Sequence, residues 1–253
     1  MLLNLIIYAY IFLLGIIVGS FLNVCIYRIP KHEDIVVTRS HCMSCGYQLK
    51  WVDLIPIFSW IALKGKCRQC GEKVSLQYPL VELLNGVLWV VTLRLGGFSV
   101  STGIMCLAIS TLIVLSFIDF RTYEIPAEIN TFILILAIIH TITDYQNIKA
   151  YLLGLICISA GLMLLFVFSK GRAIGGGDVK LMAAAGLLLG WKLTLLAFFV
   201  ACLYGSVIHL TRMKISGEGH MLAMGPYLSM GIVTAIWFGN QLIDWYISLL
   251  YGF

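Results

Sequence analysis

The chain has 253 residues, of which 60% are hydrophobic and 11% charged, and its formal charge is +5. A soluble domain carries about a quarter charged residues, so this composition excludes an ordinary water-soluble enzyme. The positive charge follows from membrane topology and requires no nucleic-acid partner.

The apolar residues fall into blocks near 2–27, 79–96, 101–118, 126–143, 149–169, 178–190, 193–210 and 222–239. Blocks of roughly 17–25 residues cross a bilayer, and the pattern predicts an all-α polytopic membrane protein with about eight transmembrane helices. The stretch from Asp178 to Leu210 is too long for one helix, and Gly190-Trp191-Lys192 breaks it. Its first half reaches about 20 Å at 1.5 Å per residue. That helix is expected to start below the membrane surface, with Asp178 inside the bilayer boundary.

Met1 to Tyr27 has no basic n-region and no small-residue cleavage site, so it reads as the first span rather than a removable signal. Residues 28–78 are the only sizeable polar stretch, and they hold Cys42-Met-Ser-Cys45-Gly and Cys67-Arg-Gln-Cys70-Gly. Two C-x2-C pairs separated by 21 residues approach zinc-ribbon spacing. Each turn presents two thiolates, the following glycine lets the backbone bend tightly, and four thiolates close a tetrahedral structural Zn²⁺ site. Disulfides are the competing reading, which a reducing cytoplasm disfavours. A loop of about fifty residues buries little core, so a metal staple suits it. His41 reads as a solvated loop histidine, and Cys25, Cys106, Cys157 and Cys202 as small packing residues within apolar helices.

Further along, Tyr78-Pro-Leu-Val-Glu82-Leu-Leu-Asn-Gly86 opens the second span, with Pro79 suited to a first helical turn. Glu82 there is a third acidic residue near a membrane boundary, or the ion-pair partner of a loop cation. Ser-Phe-Ile-Asp119-Phe-Arg closes the third span, and Gly175-Gly-Gly-Asp178-Val-Lys opens the sixth. A carboxylate at membrane depth is costly and by default functional, and two together can share a proton and activate water. Taken singly, Asp119 also reads as an interface charge beside Arg121, and Asp178 as a helix N-cap. The glycine run is no phosphate loop, because no Gly-Lys-Ser/Thr follows it and no strand precedes it. Met224-Gly-Pro-Tyr-Leu marks the entry of the last span. Glu124, Glu128 and Glu218 read as solvated charges, and Asp244 as part of an interfacial tail rich in Trp and Tyr.

With eight spans, fourteen Lys and Arg residues fall on one side, from Arg28 to Lys73 together with Arg121, Lys170, Arg172, Lys180, Arg212 and Lys214. Only Arg94, Lys149 and Lys192 fall on the other. The positive-inside rule then places the N-terminus outside, and the 28–78 loop and both aspartates at the cytoplasmic face.

These residues resemble a known family. Gly19-Ser-Phe-Leu-Asn-Val-Cys-Ile-Tyr-Arg-Ile-Pro30, the tetracysteine loop, the stretch from Trp51 to Leu84, and Gly175-Gly-Gly-Asp178-Val-Lys-Leu are similar to the bacterial type IV prepilin peptidases. The Gly-x-Gly-Asp element is shared with a wider class of intramembrane aspartyl proteases. The resemblance covers essentially the whole chain. It implies an aspartyl endopeptidase of the bacterial cytoplasmic membrane, with Asp119 and Asp178 as the catalytic pair, that removes leaders from type IV prepilins or pseudopilins. It also implies N-methylation of the new terminus from S-adenosylmethionine, with Glu82 and Gly86 assigned to that cofactor. The chain then divides into a first transmembrane helix (1–27), a cytoplasmic tetracysteine zinc-binding domain (28–78) and a membrane peptidase domain of about seven helices (79–253). One departure is visible. After Ile125-Pro126 the family often carries Asp or Asn, whereas this chain has Ala127, so the cap of the following helix is expected to differ.

Two rival readings remain. A transporter would use the aspartates as cation or proton sites, but it leaves the tetracysteine loop without a purpose. A membrane-anchored zinc-ribbon binding module explains the cysteines and leaves both aspartates idle.

Overall fold

A computed structural model describes residues 2–216 and 223–252. The helices are α1 (Leu2–Arg28), α2 (Phe58–Ala62), α3 (Gln77–Gly96), α4 (Val100–Thr122), α5 (Ala127–Thr143), α6 (Ile148–Cys157), α7 (Ser159–Phe168), α8 (Gly176–Leu189), α9 (Trp191–Ser216) and α10 (Gly225–Tyr251). Among the described residues, β pairing is limited to two isolated bridges, His41 with Gln48 and Lys66 with Lys73. Glu218 lies outside the described residues.

Among the described residues, five helical stretches are long and apolar enough to cross a membrane: α1, α3, α4, the run through α6 and α7, and α9. Large apolar side chains stand exposed along them, including Leu5, Leu13 and Ile17 on α1 and Leu152, Leu153 and Ile156 on α6. Water does not tolerate that much contiguous apolar surface, whereas lipid does. This is a multi-pass membrane protein.

Backbone contacts divide the chain into two compact units, Met1–Gly97 and Phe98–Phe253. In the first, α1 lies along α3. A β-carbon on Gly19 would come 2.7 Å from the Glu82 Cα, and one on Gly15 would come 2.7 Å from the Gly86 Cα. This Gly-x-x-x-Gly face lets the two helix backbones touch, the usual means of association where no hydrophobic effect separates helix from lipid. Asn23, two turns beyond Gly15, extends the same stripe and donates to the Gly19 and Tyr78 carbonyls.

In the second unit, α4 is buried nearly all round, with Ile109, Leu112, Leu115 and Ile118 at its core. It packs on α5 and α10, while α8 packs on α5 and α6. Among the described residues, each predicted apolar run falls largely on helix. The run 149–169 is broken between α6 and α7 at Ile158, where the Ser159 hydroxyl donates to the Leu155 carbonyl and competes with the helix ladder. The break at Gly190 between α8 and α9 stands where its sequence placed it. The last helix differs from expectation. It continues past residue 239 to Tyr251, so Asp244 and its aromatic neighbours belong to α10 rather than to a separate tail. No glycine or proline interrupts 240–251, which is why the helix propagates.

Candidate active site and metal centre

The four loop cysteines converge. Cys42, Cys45, Cys67 and Cys70 place their Sγ atoms within 4.8 Å of one another. Cys42 Sγ and Cys70 Sγ lie 3.9 Å apart. Four thiolates at Zn–S distances near 2.3 Å define a tetrahedron with an edge of about 3.8 Å, and a disulfide requires about 2.05 Å. The cluster therefore fits a four-thiolate metal site.

Its two halves are built identically, 25 residues apart. In each, the first cysteine N–H donates to a carbonyl five residues on (Cys42 to Tyr47, Cys67 to Glu72), and the glycine N–H returns to that cysteine's carbonyl (Gly46 to Cys42, Gly71 to Cys67). Gly46 and Gly71 have φ of 71° and 74° with open space around them, so glycine is needed for its left-handed backbone alone. The N–H groups of Cys45 and Ser44 pull the Cys42 thiol down to about 6. At Cys70 the Glu72 N–H acts in the same direction, but burial and the Cys45, Cys67 and Cys42 sulfurs outweigh it and push the thiol up to about 12. Four thiols this close cannot all ionise without a cation among them. His41 is exposed, faces the Arg39 carbonyl and stands outside the cluster.

In the second unit, Asp119 lies in the last turn of α4 and is 4% exposed. Its Oδ2 accepts the Gly225 N–H at 2.8 Å, from the first residue of α10. A β-carbon at position 225 would stand 2.7 Å from that oxygen, so glycine is required by the carboxylate itself. The α4 helix ends just beyond, where Tyr123 takes a left-handed conformation (φ 57°) and its N–H caps the Asp119 carbonyl.

Asp178 lies in the first turn of α8, three residues after Gly175. The N-cap is Gly175 rather than Asp178. The Asp178 carboxylate folds back over Gly175 and interacts with its N–H, and it also interacts electrostatically with Asp119. The two aspartates, 59 residues apart in the chain, are near enough in the fold to interact electrostatically.

Two supports of this site were not apparent in the sequence. Asn130, on α5 and 6% exposed, donates from Nδ2 to the Gly177 carbonyl at 3.2 Å. Gly177 in turn lies against Ile125, 2.8 Å from where a β-carbon would be. The glycine-rich turn is therefore clamped by the start of α5, whose N-cap, Pro126, supplies no side-chain cap. The available signal for Asn130 was a lone amide one turn into an apolar helix. Nothing local signalled Gly225.

Glu82 is 6% exposed at the start of α3, where Pro79 falls in the first turn as expected. Gly86 packs instead against Phe12 and Ile16 of α1. Of the remaining cysteines, Cys25 and Cys106 are packed in the interior, Cys202 is half-buried and Cys157 is exposed.

The comparisons with known proteins agree with this architecture. The bacterial peptidase A24 N-terminal domain matches residues 13–95, and the type IV leader peptidase family matches residues 106–210. A "Prepilin leader peptidase/N-methyltransferase" of Bacillus subtilis is 34% identical, covering 96% of this chain and 98% of the relative. Proteins of the same description from Xanthomonas campestris (32% identical, 92% of each chain) and Pectobacterium carotovorum (34% identical, 86% and 88%) are also similar. No solved structure matches the chain.

Proposed function

The chain belongs to the type IV leader peptidase family, and on that premise we propose that it removes the leader from type IV prepilins or pseudopilins and N-methylates the residue exposed. What supports the peptidase half is that Asp119 and Asp178 stand at the ends of two helices, one buried and the other on a clamped glycine turn, and interact electrostatically.

Two close carboxylates cannot both ionise cheaply, so the pair holds one proton between them and titrates as a unit. The ionised member takes a proton from water, which attacks the scissile carbonyl. The protonated member polarises that carbonyl and then protonates the departing amine. Gly225 N–H holds Asp119 at a fixed angle, and the start of α5 holds the turn that carries Asp178. Preorganisation of this kind costs nothing at the moment of reaction.

All eight apolar runs count as spans in this reading, with the N-terminus outside. The tetracysteine domain (28–78) and the aspartates then face the cytoplasm, and residues 79–253 form the remaining membrane region. Cys42, Cys45, Cys67 and Cys70 would hold Zn²⁺, which supplies structural closure rather than a reacting position. S-adenosylmethionine is the methyl donor. Glu82 is retained as a residue of the methyl-transfer site, and Gly86 contributes through the close packing of α3 on α1.

The test uses purified protein in detergent with a prepilin bearing its leader, and reads the new N-terminus by mass spectrometry with S-adenosylmethionine present. Asp119→Asn and Asp178→Asn should each lower cleavage by about 10²–10⁴-fold. Cleavage surviving in both folded variants would remove the pair from the mechanism.

A further inference from the structure

The first unit holds a partly open cavity of about 390 Å³, within the roughly 300–1,000 Å³ of small-molecule sites. Its lining includes Ser20, Tyr27, Leu54, Trp60, Tyr78 and Glu82. Tyr27, Leu54, Trp60 and Tyr78 form an aromatic and aliphatic patch in a lining that is otherwise largely polar and charged and that includes Cys42 and Cys67 of the cluster, and Glu82 is a nearly buried carboxylate beside it. Tyr27 and Tyr78 stack with ring centroids 5.6 Å apart, and the Trp60 indole N–H is fixed on the Val74 carbonyl at 3.2 Å.

The carboxylate is held by an unusual device. Glu82 Oε2 accepts the Ile57 N–H at 2.7 Å, and the Ser20 hydroxyl is hydrogen-bonded to the same carboxylate. Ile57 has φ 63° and ψ −54°, the centre of a γ-turn closed by Phe58 N–H on the Pro56 carbonyl at 2.6 Å. A β-branched residue in this region is strained, and such strain persists where the surroundings over-determine it. The strained turn and the close contact of Gly19 with Glu82 both fix one carboxylate in the wall of one cavity.

We infer that this cavity is the methyl-transfer site and that Glu82 receives the substrate's N-terminal ammonium and takes one of its protons. The inference rests on the methyltransferase half of the proposed function. An ammonium has no lone pair with which to attack. Once a proton has passed to Glu82, the neutral amine forms its N–C bond to the methyl carbon of S-adenosylmethionine as the C–S bond breaks, and that bond's electron pair stays on sulfur. The product leaves as a secondary ammonium, and the proton on Glu82 passes to water. The Ile57 N–H and Ser20 hydroxyl hold the carboxylate in place, and the patch of Tyr27, Trp60 and Tyr78 suits the adenine ring.

The experiment gives the full-length protein a peptide with the free N-terminal phenylalanine of a mature pilin, so that methyl transfer is measured without cleavage. In Glu82→Gln, methyl incorporation should fall by about 10²–10⁴-fold. Prepilin cleavage and zinc content should stay near wild type. The residual rate of this variant should climb steeply with pH up to the amine's own pKa, near 7.7–8.0, a dependence that a merely structural role would not produce. Glu82→Gln methylating at the wild-type rate would overturn the inference while leaving the methyltransferase intact. Should Glu82→Gln lose zinc, Glu82→Asp decides: a measurable rate in a zinc-loaded protein supports the role, and none overturns it. Wild type that fails to methylate while cleaving would instead sink the methyltransferase reading, and this inference with it.

Discussion

The two units organise their polar chemistry in opposite ways. In the first, the four-cysteine cluster comes from two copies of one local turn, each closed by its own backbone hydrogen bonds, 25 residues apart. In the second, Asp119 is completed by Gly225, 106 residues away, and the Asp178 turn is held by Asn130, 47 residues away. A site built from repeated short turns in so small a lobe has little core to hold it, and a bound metal is what would join them. A site built between buried helix ends needs only the helix packing that lipid already imposes. Metal should therefore matter greatly to one unit and little to the other.

Removing metal gives the largest effect. Structural Zn²⁺ contributes about 10–16 kcal/mol of apparent binding free energy in small domains. Chelation, or Cys42→Ser, should abolish protease resistance of residues 28–78 and stop methylation, while prepilin cleavage persists. Equal loss of both activities would break the contrast between the units.

Crowding the aspartate site comes next. Gly225→Ala drives a methyl group to 2.7 Å from Asp119 Oδ2. Overpacking of this kind costs about 1–3 kcal/mol, and the displaced carboxylate should lower cleavage while methyl transfer to a pre-cleaved peptide is kept. Unchanged cleavage would show that the Gly225 contact is incidental.

Asn130→Ala is a milder version of the same test. It removes one hydrogen bond, worth about 0.5–1.5 kcal/mol, and frees the Gly177 carbonyl without adding bulk. Cleavage should drop several-fold, and Asn130→Gln should not restore it, since the longer amide cannot keep the 3.2 Å contact. Full activity in the alanine variant would deny that α5 positions the turn.

The smallest effect belongs to pH. Burial raises the Asp53 carboxyl, but hydrogen bonds from the Arg68 guanidinium, the Lys50 N–H and the Tyr47 hydroxyl outweigh it and hold the group below its ordinary value. A lowered folded-state pKa stabilises above the unfolded value, near 3.9, and that gain is lost as pH falls through the folded value. Asp53→Asn should be slightly less stable than wild type at neutral pH, and the gap should close in acid. A gap that widened in acid would contradict this assignment.

Much of this was legible in the chain. The apolar runs located the helices because a bilayer demands long uninterrupted apolar stretches and satisfied backbones. Gly190 and Pro79 punctuated them correctly. The cysteine spacing announced a four-thiolate cluster because each knuckle is a local turn. The Asp119 and Asp178 sequences drew attention to both carboxylates as candidates, since acid in an apolar run is costly enough to stand out. The misplacements were of finer grain: the cap at Gly175 rather than Asp178, and a last helix running on to Tyr251.

Tertiary structure alone decided which groups those residues meet. Nothing near Gly225 in the chain says that its N–H serves Asp119, and nothing near Ile57 says that a strained turn serves Glu82. Helix identity and depth follow from the free energy of moving a segment into lipid, a sum over neighbouring residues that a sequence displays openly. Partnership between distant backbone and side-chain groups follows from which helix faces pack together, and that depends on many weak contacts summed across the whole unit.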